Sequence, residues 1–402
     1  MEWYRYIAYA AIISQLIFLL HVCNNYRYAL GKYKKKRSLY RPRTVLIVPC
    51  RGLDSDFQKN ISSFFNQDYE NYSLWFVVAE ESDPAYQQLC RLKEQLGPAS
   101  KAGDIQVLVA GLAQACSQKI HNLLYGCNKI ANDIEVSAFA DSDVCVRSDW
   151  LSHIVYPLRK SKNGVASGYR WFVPRKNNSA TLALSAINAK IAQLLGNSRF
   201  NQVWGGSMAV RLDTFRRLGI DNIGQKSLSD DLSLSRTVKK AGMKVAFVPA
   251  CLAASYEQTT WSQLFEFGRR QFLITRISAP RTWWFGLFGT LYSILGLWGG
   301  AAVAVYAAAT GAKGLPLFIA VPVIFSIAQL SRAILRQKMI GKLLEKDRPA
   351  LKAASTADIF FFWVWSLVLL FLIVCSAFGR TITWRGIRYK LLSPTETIVV
   401  GR

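Results

Sequence analysis

The sequence predicts an α/β domain built on a mostly parallel sheet, with transmembrane helices on its N-terminal and C-terminal sides. Two observations carry this reading. Between residues 43 and 249, short β-branched or aromatic runs alternate with longer amphipathic stretches, the pattern of parallel strands covered by helices. Outside that region, four segments contain no Lys, Arg, Asp or Glu: 6–26, 282–312, 314–331 and 359–378. Each is close to or above the roughly 20 residues a helix needs to cross a hydrocarbon layer.

The first apolar run lacks a small-x-small cleavage site, and a basic stretch follows it rather than preceding it, so residues 1–26 read as an uncleaved anchor. Residues 24–43 carry eight basic side chains (Arg27, Lys32, Lys34, Lys35, Lys36, Arg37, Arg41, Arg43) and no acid. Such a stretch belongs on the cytoplasmic side, against anionic head groups. Residues 27–43 then form a linker, and the domain over 44–256 is expected on the cytoplasmic face.

Within that domain, strands are expected at 44–48, 74–79, 105–109 and 136–140, and helices at 56–66, 86–95 and 119–131. A helix over 232–240 and a strand over 244–248 follow. Residues 261–276 mix Trp261, Leu264, Phe265, Phe267, Phe272 and Ile274 with Arg269, Arg270 and Arg276. This mixture predicts a helix in the head-group plane, within an interfacial segment over 257–282. The membrane region then spans 283–378, and a basic tail covers 379–402. Three crossings after a cytoplasmic domain would carry that tail outside, against the charge rule. Either the rule fails here or one run is re-entrant, and the run holding Pro316 and Pro322 is the expected irregular segment.

Net charge is +25, from 50 basic and 25 acidic residues. The basic residues cluster beside the apolar runs, which fits an anionic phospholipid surface, and no nucleic-acid-binding module is present. Nucleic acid is not expected as a partner. The eight cysteines are scattered without a Cys-x-x-Cys pair and the three histidines form no cluster, so neither a zinc site nor a disulfide framework is expected.

The run Phe139-Ala140-Asp141-Ser142-Asp143 carries the chemistry. A strand over 136–140 would deliver both carboxylates to the open edge of a parallel sheet, where ligands of α/β folds bind. Hard oxygen ligands there suit Mg²⁺ or Mn²⁺ holding a diphosphate, although acids also simply end strands. Gly205-Gly206-Ser207 lets backbone approach a ligand closely, or makes a plain turn. Asp230-Asp231 precedes the helix over 232–240, which one of the pair could cap. Arg269 and Arg270 either face lipid or reach back to a phosphate.

Other segments complete a pattern: Val48-Pro49 with Gly52; Glu80, Glu81 and Asp83-Pro84-Ala85; and Lys119-Ile120-His121-Asn122-Leu123. The order of all these, with an Arg-rich helix and membrane runs behind them, resembles the GT-A nucleotide-sugar transferases of families 2 and 21, most closely the ceramide glucosyltransferases. The tail Trp384-Arg385-Gly386-Ile387-Arg388-Tyr389 is similar to the family's Trp-Arg-x-x-Arg-Tyr ending. The resemblance implies a GT-A domain that moves a hexose, glucose in the nearest relatives, from a UDP-sugar to the hydroxyl of a membrane lipid with inversion. Glu80, Glu81, Asp83, Lys119, Asp141, Asp143 and Arg270 would bind the donor. Asp143, with Asp141, would hold Mg²⁺ or Mn²⁺. Asp231 would be the general base, beside Asp230. Gly205, Gly206, Ser207, Arg269 and Gln271 would face the acceptor. The family's Gln/Arg-x-x-Arg-Trp motif falls on Phe267, Arg270 and Gln271, so the Arg is kept and the Trp is lost; the acceptor is thus a ceramide-like or another hydroxylated lipid. The alternatives are a processive polysaccharide synthase, which would need a polymer channel, and a non-catalytic lipid-binding scaffold. A transporter is not expected, because the apolar runs carry no acid or base.

Overall fold

A computed structural model describes residues 2–34, 40–54, 56–225 and 227–401. A long helix, α1 (Glu2–Tyr33), leads into β1 (Thr44–Pro49), α2 (Phe57–Phe65), β2 (Tyr72–Val78), α3 (Pro84–Leu96), β3 (Asp104–Val109), α4 (Gln118–Asn128), β4 (Val136–Ala140) and α5 (Trp150–Val155). There follow β5 (Asn163–Pro174), α6 (Ser179–Ala192), β6 (Ser207–Arg211), α7 (Leu212–Arg217), α8 (Ile220–Gly224), α9 (Asp230–Lys240) and β7 (Lys244–Glu257). The remainder is α10 (Trp261–Ser278), α11 (Pro280–Ile294), α12 (Gly300–Ala309), α13 (Leu315–Leu343), α14 (Arg348–Phe360), α15 (Phe362–Cys375), and three short strands, β8 (Thr381–Trp384), β9 (Ile387–Ser393) and β10 (Glu396–Gly401).

The seven strands order as β3-β2-β1-β4-β6-β5-β7. Pairings β1 with β2, β2 with β3, β1 with β4 and β5 with β7 are parallel; β6 runs antiparallel to both its neighbours. The expected α/β fold with a mostly parallel sheet is therefore present. All four early strands sit where the apolar runs placed them, because a strand covered by helices on both faces must be apolar at nearly every position. In β1, Leu46 and Val48 face Phe64 of α2 and Leu89 of α3, while Val45 and Ile47 face Leu123 of α4 and Val238 of α9. Strands β5 and β6 and the tail sheet had not been anticipated, and the strand expected over 244–248 extends to Glu257.

Local caps fix where the helices begin. Asp83 caps α3 by accepting from the Ala85 N–H, with Pro84 in the first turn. Ser117 does the same for α4 and Asn178 for α6. Thr260 and Gln263 form a reciprocal capping box at the start of α10.

Among the described residues, three helical stretches are long and apolar enough to cross a membrane by length and composition: Tyr4–Tyr33 in α1, Pro280–Ala309 across α11 and α12, and α13. Helices α11 and α12 join through a π-helical turn at Leu295–Gly299. Gly296 in that turn has no room for a side chain, since a Cβ would lie 1.9 Å from the Phe325 ring of α13. The run holding Pro316 and Pro322 is not the irregular one: it lies inside the unbroken 29-residue α13, with Pro316 in the first turn, where no helical N–H is required. The break falls in the last apolar run instead, where α14 and α15 meet at an angle of 87° around Phe361. The tail sheet packs on α10 through Ile382, Ile387, Tyr389 and Leu391 against Leu273 and Ile274, with Leu228 of the α/β domain in the same cluster.

Helix α13 also continues well past its charge-free run. Its Arg336 makes a bidentate pair with Asp358 of α14, Nε to Oδ2 at 2.6 Å and Nη2 to Oδ1 at 2.5 Å, and both residues are almost wholly buried.

Candidate active site

At the carboxyl edge of the sheet the strand order reverses direction around β1, with β2 on one flank and β4 on the other. Such switch points leave a crevice between the loops that follow the two strands. Here the loops carry Pro49, Cys50 and Arg51 after β1, and Asp141, Ser142 and Asp143 after β4. Both sets line one cavity of about 960 Å³. The first loop is pinned by Asp83, whose Oδ1 accepts from Gly52 N at 2.8 Å and from Ala85 N at 2.9 Å. Gly52 sits at φ +65°, a conformation that favours glycine.

Lys119, on α4, stands between two carboxylates, with Nζ 2.7 Å from Asp141 Oδ1 and 3.0 Å from Asp230 Oδ2. Burial alone would push Asp141 up, but the Lys119 and Arg170 cations outweigh it and hold the carboxyl below its usual value. Asp230 moves the other way: burial, helped by Asp231 and Asp141, pushes it up to about 6 against the pull of Lys119. Asp143 is also raised, first by burial and then by neighbouring carboxylates, although Arg170 opposes this. Arg170 Nη2 lies 3.8 Å from Asp141 Oδ2 and 3.9 Å from Asp143 Oδ2, with its guanidinium over the Trp204 and Phe172 rings.

Asp230 and Asp231 open α9, yet its N-cap is Ser229, which accepts from Leu232 N at 3.1 Å. Asp231 Oδ1 accepts from Ser229 Oγ at 2.5 Å and from Leu232 N at 2.7 Å; Oδ2 accepts from Gly205 N at 3.3 Å. Asp230 and Asp231 both line the cavity. Gly205 is a close-approach glycine, since a Cβ there would lie 2.3 Å from Asp230 Oδ2 and 2.8 Å from Lys119 Nζ. Gly206 is another, against the Trp204 ring.

The structure thus brings Lys119, Asp141, Asp143, Gly205, Asp230, Asp231, Arg270 and Gln271 to one cavity. It places others elsewhere. Glu80 and Glu81 are exposed outside the lining, and Asp83 braces the β1 loop. Ser207 is buried, accepting from Trp150 Nε1 at 2.8 Å. Arg269 turns away to donate to Phe378 O at 3.0 Å. Sequence reasoning passed over Arg170, Trp204 and Glu257 as lining residues. Arg170 lies on β5, whose glycines and mixed pattern hid the strand, so no local signal marked it.

The C-terminal hairpin supplies a further wall. Its turn uses Arg385 at φ +48° and Gly386 at φ +80°. Arg385 donates to Arg51 O at 2.6 Å and pairs with Asp54 at 3.3 Å, so Trp384, Arg385 and Tyr389 reach the same cavity as the aspartates.

A divalent cation fits this donor set. Asp143 Oδ1 is buried without a hydrogen-bond partner, and both acids offer hard oxygens. Among the described residues, no three His, Cys, Asp or Glu side chains converge as a ligand group. This suits Mg²⁺, which is usually held by one or two carboxylates plus substrate phosphates rather than by a complete protein cage.

The model of the family described as Glycosyl transferase family 21 matches residues 6–397. Two solved structures are similar at low identity. A mannosyltransferase from Pyrobaculum calidifontis, solved with GDP-mannose and Mn²⁺, is 16% identical with a TM-score of 0.45, covering 92% of this chain and 97% of its own. GalNAc-T7, solved with UDP, GalNAc and Mn²⁺, is 12% identical with a TM-score of 0.40, covering 58% of this chain and 51% of its own. The family match, which spans nearly the whole chain, and the sheet described above carry the assignment.

Proposed function

The chain belongs to glycosyl transferase family 21 and is a nucleotide-sugar glycosyltransferase, and on that premise we propose that it moves a hexose, glucose by its resemblance to the ceramide glucosyltransferases, from a UDP-sugar to the hydroxyl of a membrane lipid with inversion. The observation that carries this reading is one cavity lined both by Asp141, Asp143 and Asp231 and by residues of the membrane-embedded helices, among them Trp283, Gly289 and Gln329. A nucleotide can enter from the aqueous side and a lipid from the bilayer.

In this mechanism the donor diphosphate lies along the loop after β4. Asp143, with Asp141, would hold Mg²⁺ or Mn²⁺, which when bound offsets the charge that builds on the departing diphosphate. Arg170, Arg270 and Arg385 add positive charge to the same wall, and their guanidinium forks suit phosphate oxygens. Asp231 takes the proton of the acceptor hydroxyl as its oxygen bonds to the anomeric carbon. The bond from that carbon to the diphosphate breaks, and UDP leaves. Attack from the face opposite the leaving group inverts the configuration. Lys119 orients Asp141 and Asp230 without touching the reacting atoms.

The proposed orientation follows from the basic stretch over 24–43, which favours the cytoplasm for the α/β domain. Because the tail packs on that domain, an even number of crossings must separate them. Crossings by the 280–309 stretch and by α13 supply two, and the sharply bent α14 and α15 enter and return on the same side. The tail's basic residues then obey the charge rule.

Incubating membranes that contain the protein with labelled UDP-sugars, and resolving the lipids by mass, tests the reading. One sugar on one lipid is the expected product; a polymer or no lipid product would defeat it. Asp143→Ala should weaken metal-dependent UDP binding by about tenfold or more, since one charge-assisted ligand of the diphosphate–metal pair is lost. An unchanged calorimetric titration would count against Asp143 as ligand. Gly205→Ala should cost about 100-fold in transfer rate, because the new methyl displaces the Asp230 and Lys119 tips by up to an ångström. Wild-type rates in that variant, read alongside an unchanged melting temperature, would show that the close approach has no catalytic consequence.

A further inference from the structure

The cavity does not end at the aspartates. Its far end is lined by Asn188 and Lys190 of α6, Arg332 and Arg336 of α13, and Ser366 of α15. Lys190 donates to Ser366 Oγ at 2.9 Å, and Arg332 Nη1 donates to Gln15 Oε1 of α1 at 2.7 Å with its guanidinium over the Phe18 ring. Arg332 is 3% exposed. Of these three cations only Arg336 pairs with a carboxylate, Asp358, and that carboxylate is committed to it through both oxygens. Among the described residues, neither Lys190 nor Arg332 has an ion-pair partner.

A structural role accounts for part of this. The Arg336–Asp358 pair, with Gln337 and Gln193 bonded to it, locks α13 to α14 and α6. It does not account for the two remaining cations. A buried charge without a counter-charge costs several kcal/mol, and basic residues beside a hydrocarbon layer mark ligand or ion sites by default. The surrounding polar atoms point the same way. Gln15 Nε2 is a further buried donor without a partner, beside Arg332. Asn188 Oδ1, an unpaired acceptor on the cavity wall, is placed to take a hydroxyl.

Depth along α13 sets the kind of ligand. Arg332 and Arg336 follow the charge-free run that ends at residue 331. They precede Met339, Ile340 and Leu343, which pack against Trp171 and Val173 of the sheet domain. The cations therefore sit where hydrocarbon gives way to the domain, the level of lipid head groups.

We propose that this basic end of the cavity is a binding site for an anionic lipid headgroup, a phosphate or carboxylate seated between Lys190 and Arg332, with Asn188 accepting a hydroxyl of the same headgroup. The proposal rests on the lipid-acceptor reading above and narrows it. The anionic group belongs either to the acceptor lipid itself or to a second lipid that flanks the acceptor. Burial and the neighbouring Arg336 push the Lys190 ammonium down to about 7, and an anion beside it restores full protonation at neutral pH.

Full-length protein in neutral detergent is incubated with equal amounts of phosphatidic acid and diacylglycerol of matched chains, and the retained lipid is read by native mass spectrometry. Wild type should retain phosphatidic acid over diacylglycerol by about tenfold or more, the worth of one charge-assisted contact. The Lys190→Gln/Arg332→Gln double variant should lose that preference, and Arg332→Lys, which keeps the charge, should retain most of it. Unchanged UDP binding in the variants certifies that the sheet-edge site is intact. No preference in wild type, or a preference that survives in the correctly folded double variant, overturns the proposal. Adding labelled UDP-sugar then separates the two sources, and both support the site: labelled phosphatidic acid marks the acceptor, while label on a co-added neutral hydroxylated lipid marks a flanking anion. Should anionic preference stand with no sugar transfer to any lipid, the headgroup site survives and the acceptor reading falls.

Discussion

Asp231→Asn should lower sugar transfer by about 10²- to 10⁴-fold, the usual worth of a positioned general base, while UDP binding changes little. The geometry separates the two effects. In the variant the amide oxygen can keep the contacts of Oδ1 with Ser229 Oγ and Leu232 N, so the start of α9 and its cap survive. The amide nitrogen then faces Gly205 N, where the carboxylate accepted a bond at 3.3 Å, and loses a weak contact only. What disappears is the ability to take a proton from an incoming hydroxyl. Single-turnover transfer measured beside calorimetric UDP titration distinguishes these quantities. A variant that retained more than about a tenth of wild-type transfer would remove Asp231 from the role of base.

Lys119→Met should be strongly destabilising, by about 3 kcal/mol, because it leaves the largely enclosed Asp141 and Asp230 facing each other with no cation between them. The pH dependence gives this prediction a second handle. Burial already pushes Asp230 up to about 6 with Lys119 in place, and Lys119 is among the groups that hold Asp141 down. Without that ammonium both carboxyls rise. A carboxyl whose folded pKa exceeds its unfolded one binds more protons when folded, so stability climbs as pH falls from the folded value toward the unfolded one, about 3.9. The deficit of the variant should therefore shrink between about pH 7 and pH 5. Thermal unfolding in detergent at both pH values tests it; a deficit that is small, or that stays constant across the range, refutes the account.

Several parts of this architecture were legible in the residues. Strands β1 to β4 announced themselves because helices cover them on both faces, leaving almost nothing polar in Val45 to Val48 or in Leu74 to Val78. Asp141 and Asp143 were legible for the same reason: they directly follow a fully apolar strand and so must stand at its open end. Strand β5 was not, because Gly164, Gly168 and Arg170 break its pattern, and its partners, β6 and β7, lie 40 or more residues away in sequence. Arg170 went unseen with it. The final apolar run reads as one straight helix because hydropathy does not register an 87° bend, which depends on how α14 packs against α6 and α13. In the same way Arg332 and Arg336 directly follow a charge-free run and carry no local sign of burial, and only the continuation of α13 to Leu343 turns them inward.

The bond from Arg385 to the carbonyl of Arg51 joins positions 334 residues apart. During synthesis the loop that carries Arg51 emerges early, whereas its counterpart follows every apolar helix of the second half. The crevice therefore stays open on one side until those helices have been inserted, and a ribosome-bound intermediate with a folded sheet still lacks the wall supplied by Trp384, Arg385 and Tyr389. On the proposed reading, membrane integration becomes a checkpoint on catalytic competence, and a nascent chain stranded in the aqueous phase would have its aspartates in place but no finished enclosure in which to use them.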